Sequence, residues 1–147
     1  MKKFFLFLIS FFLVVFIDQA IKHIFLNGYV LNTKCISLTL AINKGVAFSM
    51  FSFLGEKLKY MQLLFILILI IFFIKDKILQ THPIISGVLF GAAISNLLDR
   101  FVIGGVVDYV YWHCGFDFAI FNFADVMIDF SILMFAYYYF FAKMLKK

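Results

Sequence analysis

The chain has 147 residues, of which 65% are hydrophobic and 14% charged. A water-soluble domain is nearer half apolar and a quarter charged, so this chain carries more apolar surface than a domain of its size can bury, and the bilayer is part of its solvent. The net charge is +5, carried by lysines that mostly flank apolar runs, which argues for membrane-surface charges and against nucleic-acid binding.

A membrane span needs about 20 mostly apolar residues. Four stretches qualify, at about 4–25, 58–74, 83–98 and 126–142, and the whole of 1–147 reads as a single integral membrane domain. The first begins like a signal peptide, with Lys2 and Lys3 ahead of an apolar core. No small-x-small cleavage site follows it, so the helix is expected to be retained with Asp18 at its outer end. Basic residues set the orientation. Lys2 and Lys3, Lys75 and Lys77, and Lys143, Lys146 and Lys147 all fall on one side of a four-span arrangement. That side is read as the cytoplasm, holding both termini.

The opposite side receives two longer segments, about 27–57 and 100–121. In the first, Ile36, Leu38, Leu40 and Ile42 alternate with Ser37, Thr39, Ala41 and Asn43, the period of a strand with one apolar face. In the second, Val106 to Trp112 is rich in β-branched and aromatic residues. The expected fold is therefore a membrane all-α bundle of four transmembrane helices with a small extracytoplasmic β-element. Gly104 and Gly105 would permit movement of the second segment.

Polar residues are expensive in such a chain, and they gather at one membrane face. Asp18, Gln19 and Lys22 end span one. Asn43 follows the strand. Asn96, Asp99 and Arg100 end span three. Asp108 follows, and Asn122 and Asp125 open span four. Asp18 and Lys22 stand at i,i+4, the spacing of a helical ion pair. Each residue alone has a plain structural use: Arg100 would snorkel to the headgroups, and Asn122 or Asp125 would cap a helix. Their shared depth is what points to a site.

The chemistry open to that set is carboxylate chemistry. Ser10 and Ser131 lie in apolar helix, and His23, His82 and His113 share no context. Cys114 beside His113 points to the other face of any strand. There is no CxxC or HExxH motif, so no metal or other cofactor is expected. Two neighbouring carboxylates share a proton, and such a pair activates water against a peptide carbonyl.

Five motifs carry a resemblance that covers most of the chain. They are Asp18-Gln19 with Lys22; Asn43-Lys44-Gly45-Val46-Ala47-Phe48; the run from Gly91 to Arg100, ending Asn96-Leu97-Leu98-Asp99-Arg100; Val106-Val107-Asp108-Tyr109; and Phe121-Asn122-Phe123-Ala124-Asp125. Together they resemble bacterial lipoprotein signal peptidase, or signal peptidase II. The resemblance implies an aspartyl endopeptidase of the bacterial inner membrane, with its site near the outer face, that cleaves prolipoproteins just before a diacylglyceryl-modified cysteine. It implies catalytic roles for Asp108 and Asp125. It implies that Asn43, Asn96, Arg100 and Asn122 orient the pair or contact substrate, that Asp18 and Lys22 support them, and that Gly45 and Ala47 let a strand approach the substrate. It also implies globomycin-type inhibitors. Membrane lipids are the other expected partners, and a monomer is expected.

Three departures stand out. Ala92 and Ser95 replace glycines often seen in the third motif, which predicts looser helix packing there. Asp129 adds a carboxylate one turn beyond Asp125. The stretch from Cys114 to Ile120 is less recognisable. Cys35 and Cys114 both fall in the outer segments, where a disulfide can persist, and their spacing leaves the pairing open. The competing reading is a transporter or proton-pathway protein, since intramembrane carboxylates mark those too. A third is a membrane scaffold, which would not need Asp108 and Asp125 together.

Overall fold

The computed structural model describes residues 1–45 and 54–140. Ala47 and the basic residues Lys143, Lys146 and Lys147 lie outside them. Four helices are long and apolar enough to cross a membrane: α1 (Lys2–Leu26), α2 (Lys57–Lys75), α4 (Pro83–Val102) and α5 (Phe123–Phe140). A one-turn helix, α3 (Ile78–Thr81), follows α2 and was not anticipated. Strands β1 (Leu31–Asn32), β2 (Ile36–Asn43) and β3 (Val106–Trp112) form one antiparallel sheet in the order β1-β2-β3.

α4 is the central helix. Some 61% of its most apolar window is buried, against 17% or less in the other three spans, so α1, α2 and α5 spend most of their apolar surface on the surroundings. The α1–α4 contact depends on glycine. A Cβ on Gly91 would meet the Phe11 carbonyl oxygen at 2.6 Å, and one on Gly87 would collide with Ser10 and the Phe7 carbonyl. Small residues let two membrane helices approach closely, which raises packing and brings polar groups within reach of each other. Phe73, Phe90, Leu89, Ile66 and Leu97 fill the core between α2 and α4, and Phe135 of α5 packs against them.

The helix ends differ from the sequence reading. α4 runs on past Leu98 to Val102, because Asp99 and Arg100 are buried helical residues instead of the start of a loop. α5 begins at Phe123, ahead of the expected Val126, since Asn122 caps it: the Asn122 Oδ1 accepts from the Asp125 N–H at 2.9 Å.

The strand period of β2 also needs correction. Leu40 and Ile42 of the apolar set are exposed, whereas Ala41 and Asn43 are half-buried. The register explains this. Leu38 pairs with Val110 and Ala41 with Asp108, so β2 carries one extra residue, a β-bulge. Beyond the bulge the inward face is the one bearing Ala41 and Asn43. Gly105 sits tightly beneath this end of β2, where a Cβ would lie 2.7 Å from Ile42 Cγ2 and 3.0 Å from the Asn43 carbonyl oxygen, so its smallness serves close approach.

At the other end of the sheet Cys35 and Cys114 form a disulfide, with Cα atoms 4.5 Å apart. The His113 N–H donates to the Cys35 carbonyl at 3.0 Å. The stretch after β3 is pinned as well. The Phe118 N–H donates to the Trp112 carbonyl, and Phe121 exchanges backbone bonds with Val110.

Candidate active site

The site forms where the last turns of α1 and α4, the start of α5, β3 and the end of β2 meet. Its foundation is Lys22. This lysine is 1% exposed, and its three ammonium protons have three acceptors: Asp18 Oδ2 and Asp99 Oδ2 at 2.6 Å each, and Asn96 Oδ1 at 2.8 Å. A buried charge must be paired and hydrogen-bonded, and every oxygen here is used. Asp18 Oδ2 also accepts from Ser95 Oγ at 2.7 Å, and Asp18 Oδ1 accepts from the Ala124 N–H at 2.9 Å. Asp99 accepts from Gln19 Nε2 at 2.8 Å and from the Val107 N–H at 3.1 Å. One carboxylate therefore ties α1 to the N-terminus of α5, where the helix dipole favours an anion. The other ties α4 to β3.

Ser95 reverses an expectation. It is fully buried, donates to Asp18 and accepts from Gln19 Nε2 at 2.9 Å. Ala92 is also fully buried. Packing at this turn is tight, and the hydroxyl strengthens the polar seam. Ser10 and Ser131, by contrast, donate to carbonyls of their own helices.

Two asparagines carry this foundation to Asp108 and Asp125. Asn96 Oδ1 receives Lys22, and Asn96 Nδ2 donates to Asp125 Oδ1 at 2.8 Å. Asn122 is fully buried; its Nδ2 donates to Asp108 Oδ1 at 2.7 Å and faces Asn96 Oδ1 at 3.1 Å. Its backbone N–H meets Asp125 Oδ2 at 3.1 Å. Asn43 completes the set. It donates from Nδ2 to Asp108 Oδ2 at 3.0 Å and accepts from the Gly45 N–H at 2.9 Å. Each carboxylate thus receives a donor on both oxygens, which fixes its plane. Burial first, and then the charge of Asp125, push Asp108 up to about 6, against the opposing donors Asn43 and Asn122 and the charge of Lys22.

Arg100 does not snorkel. It is 8% exposed, and its Nη2 donates to the Gly45 carbonyl at 2.6 Å, within electrostatic reach of Asp108, Asp125 and Asp99. Asn43, Asn96, Arg100, Asp108, Asp125 and Asp129 line one cavity of about 510 Å³, closed on another side by Phe118 to Phe121 and by Leu58, Met61, Gln62 and Phe65 of α2 and its approach. Of the site residues singled out in the sequence, the described ones come together: Asp18 and Lys22 beneath, Asn96 and Asn122 between, Asn43, Arg100, Asp108 and Asp125 around the cavity, and Gly45 held by Asn43 and Arg100. Ser95, Asp99 and Tyr109 were named in the sequence without a role in the site. The last donates no base or acid here; its Oη accepts from the Phe123 N–H at 3.0 Å and its ring stacks on Phe25 at 4.3 Å. No cluster of His, Cys, Asp and Glu among the described residues has the geometry of a metal site.

The same arrangement of helices and sheet occurs in solved structures. A bacterial membrane enzyme determined by the in meso method at 2.3 Å resolution superposes with a TM-score of 0.79 at 25% identity, covering 96% of this chain and 91% of that one. Residues 10–141 match the family described as Signal peptidase (SPase) II. The chain is 54% identical over 132 residues to the lipoprotein signal peptidase of Helicobacter pylori strain HPAG1, which spans 89% of this chain and 84% of that protein. It is 52% identical to the one from Wolinella succinogenes, over 89% of this chain and 90% of that protein. This chain belongs to the signal peptidase II family, membrane-embedded peptidases that hydrolyse peptide bonds.

Proposed function

We propose that the protein is the aspartyl endopeptidase that removes signal peptides from diacylglyceryl-modified prolipoproteins, with Asp108 and Asp125 as its catalytic pair. The observation that carries this is the double tether of the pair. Asn122 joins the two carboxylates, donating to one from its side chain and to the other from its backbone, while both border one cavity. Preorganised donors of this kind cost nothing to arrange at the moment of reaction.

In the working pair Asp108 holds the shared proton and Asp125 is ionised, in keeping with the lift of Asp108 toward 6 by burial and by its neighbour's charge. Asp125 takes a proton from water as that water attacks the scissile carbonyl. Asp108 donates to the carbonyl oxygen as charge develops there. Collapse of the tetrahedral intermediate passes the proton on Asp125 to the leaving amine, while Asp108 takes back the hydroxyl proton as the carbonyl re-forms, so the pair again holds one proton. The cation Arg100 and the Gly45 carbonyl it holds border the space where substrate backbone lies. The site opens at the outer face of the inner membrane, the end of the bundle away from Lys2, Lys3 and Lys75. The enzyme acts as a monomer, and a peptide inhibitor of the globomycin type occupies the same cavity.

The test uses purified protein and a diacylglyceryl-modified prolipoprotein. Asp108→Asn and Asp125→Asn each abolish cleavage while the fold persists. Near-normal cleavage by either variant defeats the assignment, and equal cleavage of unlipidated precursor defeats the lipid requirement. The transporter reading draws no support from the layout, in which the carboxylates cluster at one end of the helices.

A further inference from the structure

Asp129 takes no part in the site described so far. It lies on α5 one turn past Asp125, about 6 Å further into the span by helix rise, and lines the same cavity. It is exposed there and has no hydrogen-bond or ion-pair partner among the described residues. A carboxyl group in that setting is expensive unless something polar comes to meet it. Across the cavity, Gln62 of α2 donates from Nε2 to the Ala93 carbonyl at 3.3 Å. A carbonyl can only accept, so this contact fixes which way the amide faces. Gln62 Oε1 is then left buried with no partner among the described residues. Two acceptor groups line one cavity, and neither oxygen end has a donor among the described residues. Gln62 also stands with Phe65 and Ile128 where the cavity opens into an apolar groove between α2 and α5.

We propose that Asp129 and Gln62 form a subsite that selects a hydroxyl side chain on the second residue before the modified cysteine of the substrate. This rests on the peptidase function proposed above. The signal segment of a prolipoprotein is the part that enters the membrane, so residues preceding the cleaved bond run inward from Asp125, toward Asp129. An extended chain advances about 3.3 Å per residue, so one residue and the reach of its side chain span the ~6 Å between the two levels. The hydroxyl donates to Asp129 or to Gln62 Oε1, which gives both the depth and the chemistry of the pocket a use.

The experiment compares two diacylglyceryl-modified substrates that differ only by Ser or Ala at that position. Wild-type protein favours the Ser substrate by about three- to tenfold in kcat/KM, the range of a single hydrogen bond, expressed mostly in KM. Asp129→Ala and Gln62→Met are each made, so that poor folding of one leaves the other. Both move the Ser-to-Ala ratio toward one, and loss of a merely structural contact would lower both substrates alike. An unchanged ratio in both variants overturns the subsite. Equal cleavage of the two substrates by wild type overturns the subsite alone, whereas cleavage of neither overturns the peptidase reading with it.

Discussion

Asn96 connects Lys22 to Asp125: its Oδ1 accepts from the lysine ammonium at 2.8 Å while its Nδ2 donates to Asp125 Oδ1 at 2.8 Å. One amide thus joins a buried ion cluster to a carboxylate at the cavity wall. The cluster should be costly to break. Lys22→Met leaves Asp18 and Asp99 buried without their counter-ion, and the expected loss is about 3–5 kcal/mol. Thermal unfolding in detergent measures it. Adding Asp99→Asn to Lys22→Met returns part of the loss, and a Lys22→Met protein of unchanged stability would contradict the cluster's role.

The pH dependence follows from Asp108. Its folded value of about 6 lies above the 3.8 of a free carboxyl. If the working pair holds one proton on Asp108, kcat/KM falls as pH rises through about 6. The linkage to stability runs the same way. The fold keeps a proton that the unfolded chain has already released, so stability falls between about pH 4 and 6 and is level above. Asn43 donates to the charged form of Asp108. Asn43→Ala removes that donor, raises Asp108 further, and moves the alkaline limb up by about half to one pH unit. A limb that moves down refutes the sign.

Helix packing gives a third, separate prediction. Gly91→Ala places a methyl group against the Phe11 backbone, which cannot turn aside as a side chain can. The expected cost is about 1–3 kcal/mol, since the helices must separate. Because α1 also carries Asp18 and Lys22, activity should fall with stability, and a Gly91→Ala protein with full activity and unchanged apparent Tm would show that α1 and α4 have slack.

The disulfide predicts a thiol count. Wild type, denatured without reductant, should present no reactive thiol, and two after reduction. Replacing Cys35 and Cys114 together by Ser should cost less than about 4.5 kcal/mol, the chain-entropy value for a loop of this size in a fully unfolded chain, because helices persist in an unfolded membrane protein. Two free thiols in the untreated protein would remove the bond.

The membrane helices were legible because apolar length is a direct consequence of the bilayer. The sheet was legible in existence and less so in aspect. Alternation names a strand but not which way it faces, and the bulge between Leu38 and Ala41 turns Asn43 to the inside. The polar residues announced themselves by their cost. Which of them touch could not be read, since Asp18 and Ala124, or Asn43 and Asp108, are joined by tertiary packing across long stretches of chain. Ser95 was misjudged for the same reason. Judged by size it is a poor substitute for glycine, but Asp18 and Gln19 of the facing helix give its hydroxyl partners.

The bond from the Ala124 N–H to Asp18 has a consequence for how the protein is made. α1 leaves the ribosome first, carrying Asp18, Gln19 and Lys22, whose other partners Ser95, Asn96 and Asp99 arrive only with α4. The last acceptor is filled only when α5 follows. Until then the first helix holds unmet polar groups in the bilayer, a costly state. Completion of the site thus waits for α5, and a chain that stops before it leaves Asp18 Oδ1 without its donor.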